Sequence, residues 1–165
     1  MFALAFVATP NTTKETTDSI HWYTWEEMLI ENAKNPKPIF VDVYTDWCGW
    51  CKKMDRSTFQ DHKVVKMLSD DFYAVKLDAE QRAAIEFNNH TFEYVKNGRH
   101  GYHELAASLL DNQLSFPTTV ILDAEYSRII LSPGFKDAVG MLNELEFAAT
   151  GAYENESFQS FSQGR

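Results

Sequence analysis

The sequence predicts a single α/β domain with a mixed central sheet and helices on both faces of that sheet. Its 165 residues suit one domain with one substantial core. Hydrophobic residues make up 44% of the chain, as in globular proteins. Segments with strand and helix patterns alternate along it before a final hairpin and helix. We expect the domain to cover residues 20–150, between an N-terminal tail of residues 1–19 and a C-terminal tail of residues 151–165 that is polar and frayed.

The first elements are expected to form a β-α-β arrangement around a buried strand. Thr24 and Glu27 fit a capping box, which predicts a helix from there to Lys34. Residues 39–44 are nearly all apolar and predict a central strand whose one charge is Asp42. The next helix is expected to begin at Cys48. The remaining expected elements are helix 62–69, strand 72–77, helices over 81–96 and 103–111, strands 118–122 and 128–131, and helix 136–150.

The formal net charge of −9 argues against nucleic acid as a partner, because phosphate binding requires a basic surface. The first ten residues, MFALAFVATP, are apolar but too short to span a bilayer, so no stable membrane insertion is expected. They resemble the end of a signal peptide, with small residues at Ala3, Ala5 and Ala8. We therefore expect export, for example to a periplasm. The alternative is a cytoplasmic protein with a disordered N-terminus.

The chain has two cysteines, and both lie in the segment Cys48-Gly49-Trp50-Cys51. This spacing excludes a disulfide framework that joins distant segments. A cysteine at a helix N-terminus is stabilised as a thiolate by unpaired backbone N–H groups and the helix dipole, and the thiolate is the form that attacks disulfides. Cys48 is therefore the predicted nucleophile. Cys51, one turn later, is the predicted resolving thiol.

A zinc site is the alternative reading of a C-x-x-C motif, but zinc requires two further ligands. There is no second cysteine pair, and the histidines at positions 21, 62, 90, 100 and 103 show no strong pairing pattern. We therefore expect neither a metal nor an organic cofactor.

Several segments in this order make the chain resemble the thioredoxin superfamily over most of residues 20–150. Residues 40–52, FVDVYTDWCGWCK, look like the passage from the family's central strand into its active site. Residues 75–78 look like the strand whose lysine approaches the buried aspartate, and Phe116-Pro117-Thr118 looks like the cis-proline loop. Gly134 falls where the family has a glycine after its hairpin. The resemblance is to the longer thioredoxin-like oxidoreductases that bacteria export. It implies a three-layer sandwich with a helical insertion before the cis-proline strand.

The resemblance implies roles for four further residues. Asp42 would accept the proton of Cys51 and Lys76 would pair with Asp42. Burial among apolar residues should raise the pKa of the Asp42 carboxyl. Proline is awkward within a sheet, and Pro117 directly precedes a predicted strand. A cis bond there would place the backbone of Phe116 beside Cys48, where it could pair with a substrate chain as in the family.

Two tryptophans flank the predicted nucleophile and predict an apolar contact surface for flexible protein partners. These are Trp47 and Trp50. Trp50 replaces the proline of thioredoxin itself. Because the residues between the cysteines affect thiolate stability, a strongly reducing potential does not transfer from thioredoxin.

A longer stretch separates Lys76 from Pro117 than in a minimal thioredoxin. The extra piece, around residues 85–110, carries Tyr94, Tyr102 and His103. It is either a structural cap or a wall that selects partners beside the active site.

The function predicted from these features is that of an enzyme, a thiol-disulfide oxidoreductase acting on protein disulfides. Its electrons would come from a redox partner. The match of Asp42 and Lys76 to the reductase-like branch favours reduction over oxidation. The alternative is a thioredoxin-like binding module whose dithiol is minor or regulatory.

Overall fold

The computed structural model describes residues 19–164, so residues 1–18 of the predicted N-terminal tail, with the signal-like residues, lie outside the described part. The first half contains β1 (Trp22–Tyr23), α1 (Trp25–Lys34), β2 (Ile39–Tyr44), α2 (Gly49–Arg56), a 3-10 turn (Thr58–Gln60), α3 (His62–Asp71) and β3 (Tyr73–Asp78). The second half contains β4 (Ile85–Phe87), β5 (His90–Phe92), β6 (Tyr94–Val95), β7 (Tyr102–His103), α4 (Glu104–Leu109), β8 (Thr118–Leu122), β9 (Arg128–Pro133), α5 (Ala138–Ala149), a second 3-10 turn (Ala152–Glu154) and α6 (Phe158–Gln163).

The central sheet has the strand order β1-β3-β2-β8-β9. Strand β3 runs parallel to β1 and β2, whereas β8 is antiparallel to both β2 and β9. The predicted α/β fold with a mixed central sheet is therefore confirmed. Strand β2 lies in the middle, where both of its edges are paired and its backbone is removed from water.

Side chains of β2 alternate between two hydrophobic clusters, one on each face of the sheet. Phe40 points into the cluster formed with α2, α3 and α5. Ile39, Val41 and Val43 point into the cluster formed with α1, α4 and β4. Asp42 shares the face of Phe40 and is 1% exposed, so the one charge of this strand lies below α2. This layering confirms the expected helices on both faces.

The insertion differs from its prediction because most of it is not helical. Residues 81–96, predicted as a helix, contain the hairpin of β4 and β5 and then β6, which pairs with β7. Asn88 and Asn89 join β4 to β5 with positive φ angles of 52° and 58°. Two consecutive left-handed residues form the tight turn that antiparallel hairpins favour, and asparagine tolerates that conformation. The predicted helix over 103–111 is confirmed as α4.

The chain after Gly151 also differs from its prediction as a frayed polar tail. It forms the second 3-10 turn and α6. Phe158 and Phe161 lie 5.4 Å and 5.3 Å from the ring of Phe147 in α5. These two rings supply the apolar contact that holds an otherwise polar segment against the core. The limits of the domain, residues 20 and 150, stay predictions. Within residues 19–164, every helix is too short or too polar to cross a bilayer.

Candidate active site

The two cysteines lie at the N-terminus of α2 and are joined by a disulfide bond. A short turn leads there from β2, in which the N–H of Cys48 donates to the carbonyl of Thr45 at 3.1 Å. Cys48 occupies the N-cap of α2, and its Sγ accepts the N–H of Cys51 at 3.1 Å. A sulfur in this place accepts a hydrogen bond from the helix start and feels the positive end of the helix dipole. Cys48 and Cys51 are 4% and 2% exposed, so the disulfide lies just below the surface.

The buried Asp42 forms an ion pair with Lys76, whose side chain is 21% exposed, on the α2 face of the sheet. The parallel register of β2 and β3 sets the two residues side by side. Lys76 Nζ lies 2.6 Å from Asp42 Oδ2. The same ammonium group contacts the carboxylate of Asp55, which lies on α2 one turn after Cys51. Asp55 was not identified from the sequence. Its position four residues after Cys51 could have indicated it, because this spacing places both side chains on one side of the helix.

Burial dominates the pKa of Asp42 but not that of Lys76. It raises the pKa of Asp42 above its ordinary value, and the charge and hydrogen bond of Lys76 only partly oppose that effect. Burial also lowers the pKa of Lys76, but the two carboxyl groups outweigh it and hold this pKa above the ordinary value. Asp42 Oδ1 is buried and has no hydrogen-bond partner among the described residues. Asp42 is thus the group of the pair that can take up a proton, while Lys76 stays charged.

An aromatic rim surrounds the disulfide; we define it as Trp47, Trp50, Phe116 and Phe135. Trp47 and Trp50 are 58% and 57% exposed, far more than the adjacent Cys48 and Cys51. The ring of Trp47 lies 6.0 Å from that of Phe116, and the ring of Trp50 lies 5.5 Å from that of Phe135. Phe135 was not identified from the sequence, because it comes 84 positions after Cys51 and no motif marks it.

Trp47 is also held by the segment that follows β3. Its indole N–H donates to Glu80 Oε1 at 3.1 Å. The same oxygen lies 3.4 Å from Nδ1 of His100, which comes from the insertion. The insertion therefore reaches the edge of the aromatic rim, although no motif in the sequence indicated Glu80 or His100.

The Phe116–Pro117 peptide bond is cis. Pro117 is buried and Phe116 is half-buried. The carbonyl of Pro117 accepts the N–H of Gly134 at 2.8 Å, which ties the start of β8 to the loop after β9. Gly134 has a φ of 94°, a conformation that favours glycine. The ring contact of Trp47 with Phe116 and the hydrogen bond of Gly134 to Pro117 hold the Phe116–Pro117 segment in place at the aromatic rim.

His103 of the insertion is fully buried and has a structural place in the fold. Its Nδ1 accepts the N–H of Leu105 at the start of α4, and its Nε2 lies 3.1 Å from the carbonyl of Ala83. Burial lowers the pKa of His103, in keeping with a neutral ring that caps a helix. Across residues 19–164 there is no cluster of three or more histidine, cysteine or carboxylate side chains that could hold a metal ion.

Comparison with protein families places most of the chain in one of them. Residues 3–148 match the model of the family Thioredox_DsbH, described as a protein of unknown function, DUF255. Human spermatogenesis-associated protein 20 is 33% identical over 84 residues, which are 50% of this chain and 11% of that protein. Thiol:disulfide interchange protein DsbD of Yersinia enterocolitica is 32% identical over 123 residues, which are 73% of this chain and 18% of that protein. The chain thus spans less than a fifth of either relative.

Similarity to a solved structure supports the same fold. A thioredoxin-fold protein from Helicobacter pylori superimposes with a TM-score of 0.61 at 18% identity, over 79% of this chain and 80% of that one. At this level of identity the likeness concerns the fold, which is the thioredoxin fold.

Proposed function

The chain belongs to the Thioredox_DsbH (DUF255) family within the thioredoxin superfamily, and from this premise we propose that it is a thiol-disulfide oxidoreductase acting on protein disulfides. The observation that carries the proposal is the pairing of two features. The Cys48–Cys51 disulfide lies at a helix N-terminus, and the buried ion pair of Asp42 and Lys76 lies under the same helix. The first feature stabilises a thiolate, and the second supplies a group that accepts a proton.

The reaction that we propose begins with both cysteines reduced and Cys48 present as its thiolate. Cys48 Sγ attacks one sulfur of a substrate disulfide, forms a mixed disulfide and expels the other substrate sulfur as a thiolate. Cys51 then loses its proton and its Sγ attacks Cys48 Sγ, which expels the second substrate thiolate. The substrate gains two electrons and the protein is left with the Cys48–Cys51 disulfide. The two released thiolates take up two protons, one from the solvent and one equivalent to the proton that Cys51 lost.

We propose that Asp42 accepts the proton of Cys51. Its raised pKa is closer to the pKa of a thiol, which makes its carboxylate a better base. Lys76 keeps this carboxylate from being a lone buried charge. Asp55 contacts Lys76 from the solvent side, with 43% of its side chain exposed. Asp55 and Asp42 therefore share the same ammonium group.

Substrate binding is assigned to the aromatic rim and to the Phe116–Pro117 segment. Exposed tryptophans that flank the nearly buried Cys48 favour contact with apolar side chains of a flexible protein. An extended substrate chain could pair with the backbone at Phe116, ahead of β8. The substrates proposed are protein disulfides rather than small metabolites.

Reduction of the substrate is the direction we propose, with electrons supplied by a dithiol partner. A redox titration of the Cys48–Cys51 couple against glutathione tests this. A potential at or below about −220 mV is expected for a reductase, whereas a value near about −120 mV would make the protein an oxidant. We also propose export, which cell fractionation and N-terminal sequencing of the mature protein would test.

An insulin reduction assay with dithiothreitol as electron donor separates the enzyme from its alternative. The wild-type protein should accelerate reduction and Cys48→Ser should not, while Ser69→Ala on α3 serves as a matched control. A binding module is the second candidate, and the low exposure of both cysteines is the observation in its favour. It predicts no acceleration above dithiothreitol alone, and that result would refute the enzyme.

A further inference from the structure

A second buried ion pair lies on the same face of the sheet as Asp42 and Lys76, and the proposed mechanism does not use it. Lys136 Nζ lies 3.7 Å from Glu144 Oε1, with side-chain exposures of 13% and 6%. Ser132, near the end of β9, donates its hydroxyl to the same carboxylate. Lys136 Nζ in turn donates to the carbonyl of Ser132 at 3.1 Å. These contacts join the end of β9 to the middle of α5.

The ion pair closes the base of the loop that joins β9 to α5. The hydroxyl of Thr58 donates to the carbonyl of Lys136, so the loop is also tied to the 3-10 turn after α2. Within the loop, the N–H of Gly134 donates to the carbonyl of Pro117 at 2.8 Å. The ring of Phe135 packs 5.5 Å from that of Trp50. One short loop, held at its base by Lys136 and Glu144, therefore contacts both sides of the proposed substrate site.

Stability alone does not account for this pair. Burial raises the pKa of Glu144 and lowers the pKa of Lys136, so the protein interior disfavours both charges. Glu144 Oε2 is buried without a hydrogen-bond partner in the described part of the chain. Replacing such a pair with apolar side chains of similar size is often neutral or stabilising. A charged, hydrogen-bonded pair instead favours one geometry, because its hydrogen bonds are directional. It therefore holds the loop in one arrangement.

We propose that Lys136 and Glu144 are positioning residues for substrate capture, which hold Phe135 against Trp50 and Gly134 against Pro117. With the loop fixed, the Phe135 side of the aromatic rim is preformed before a protein substrate arrives. Preformed surfaces bind better because less ordering is needed on binding. The inference rests on the proposed thiol-disulfide exchange and names residues that set its affinity for protein substrates.

Two variants test the proposal. Glu144→Gln keeps the shape and an acceptor for Ser132 but removes the negative charge. The double variant Lys136→Met with Glu144→Leu replaces the pair with apolar side chains and avoids a lone buried charge. In both, KM for insulin should rise about three- to tenfold while kcat stays near that of the wild type. The rate of the reduced protein with a small disulfide, dithiobis-nitrobenzoate, should not change, because that reagent does not need the aromatic rim.

A readout that does not depend on activity is the NMR signal of the Trp50 indole N–H, which should shift in both variants. Met28→Ala serves as the control for general destabilisation, since Met28 is buried in the cluster on the opposite face of the sheet. It should lower the melting temperature without changing KM or the Trp50 signal.

The outcomes separate the two proposals. A wild-type protein that reacts with neither insulin nor the small disulfide would refute the proposed function. An active wild type with unchanged KM and an unchanged Trp50 signal in the folded double variant would overturn the positioning role. If Glu144→Gln does not fold, the KM and the Trp50 signal of the double variant alone decide whether the positioning role holds.

Discussion

Replacing Asp42 with asparagine should make the protein more stable at neutral pH and slower in exchange. The carboxyl is 1% exposed, and one of its oxygens has no hydrogen-bond partner among the described residues. Its pKa is raised above the ordinary value of 3.8, so the folded protein holds this proton more tightly than the unfolded chain does. Ionisation of Asp42 therefore destabilises the fold, and this effect grows as the pH rises from 3.8 to the raised pKa.

The size of the effect follows from linkage. The free energy of unfolding of the wild type should fall relative to Asp42→Asn by about 1 kcal/mol for each pH unit between the two pKa values. Below pH 3.8 the difference between the two proteins should level off, since the carboxyl of the unfolded chain then becomes neutral as well. The attack of Cys51 on the mixed disulfide should slow by about a hundredfold, because its proton acceptor is gone.

Urea melts of both oxidised proteins from pH 3 to pH 8, together with stopped-flow exchange against insulin, measure the two effects. Asp71→Asn is a matched control, because Asp71 is exposed at the end of α3. It should change neither quantity. The reasoning is refuted if wild type and Asp42→Asn show the same pH dependence of stability, or if the mixed disulfide resolves at the wild-type rate.

Three further perturbations have distinct readouts. Cys51→Ser should trap a mixed disulfide between Cys48 and insulin on a non-reducing gel; preferential alkylation of Cys51 in the reduced wild type would contradict the assigned order of attack. Trp50→Ala should raise KM for insulin by about tenfold, because half of the exposed indole surface beside the disulfide is lost, and an unchanged KM would remove Trp50 from the substrate site. His103→Asn should reduce the loss of stability on acidification. The lowered pKa of His103 makes the wild type less stable as the pH falls below 6.5, since a protonated ring cannot accept the N–H of Leu105. Identical acid melts would contradict this.

Local sequence patterns determined the elements that carry the proposed chemistry. The capping box of Thr24 and Glu27 is confirmed by both of its hydrogen bonds, because it depends on residues three apart. The apolar run of β2 is confirmed as a central strand, since a segment without a polar face has to be covered on both sides. The start of α2 at Cys48 follows from the chain itself, because a turn and an N-cap involve only neighbouring residues.

The hairpin of β4 and β5 shows where local patterns fail. Residues 81–96 were predicted to be helical, but Ile85 and Phe87 lie two positions apart on a strand that pairs with β5. The turn that joins β4 to β5 depends on Asn88 and Asn89 in left-handed conformations. Asparagine tolerates that conformation without requiring it, so the packing of Ile85 into the core decided between helix and hairpin.

Tertiary structure alone decided which distant charges meet. Asp55 reaches Lys76 because α2 packs on the face of the sheet that carries Asp42, and Glu144 reaches Lys136 because α5 packs against the end of β9. The position of Asp55 four residues after Cys51 indicates its side of α2 but not its partner. Neither contact can be predicted from the sequence, since its energy depends on burial and on distances between elements, which exist only after the sheet and helices have packed. The sequence by itself thus identified the two cysteines, the helix that begins there and the buried acid. The folded chain determined the burial that raises the pKa of that acid, the charge of Lys76 that partly opposes this effect, and the loop that completes the aromatic rim.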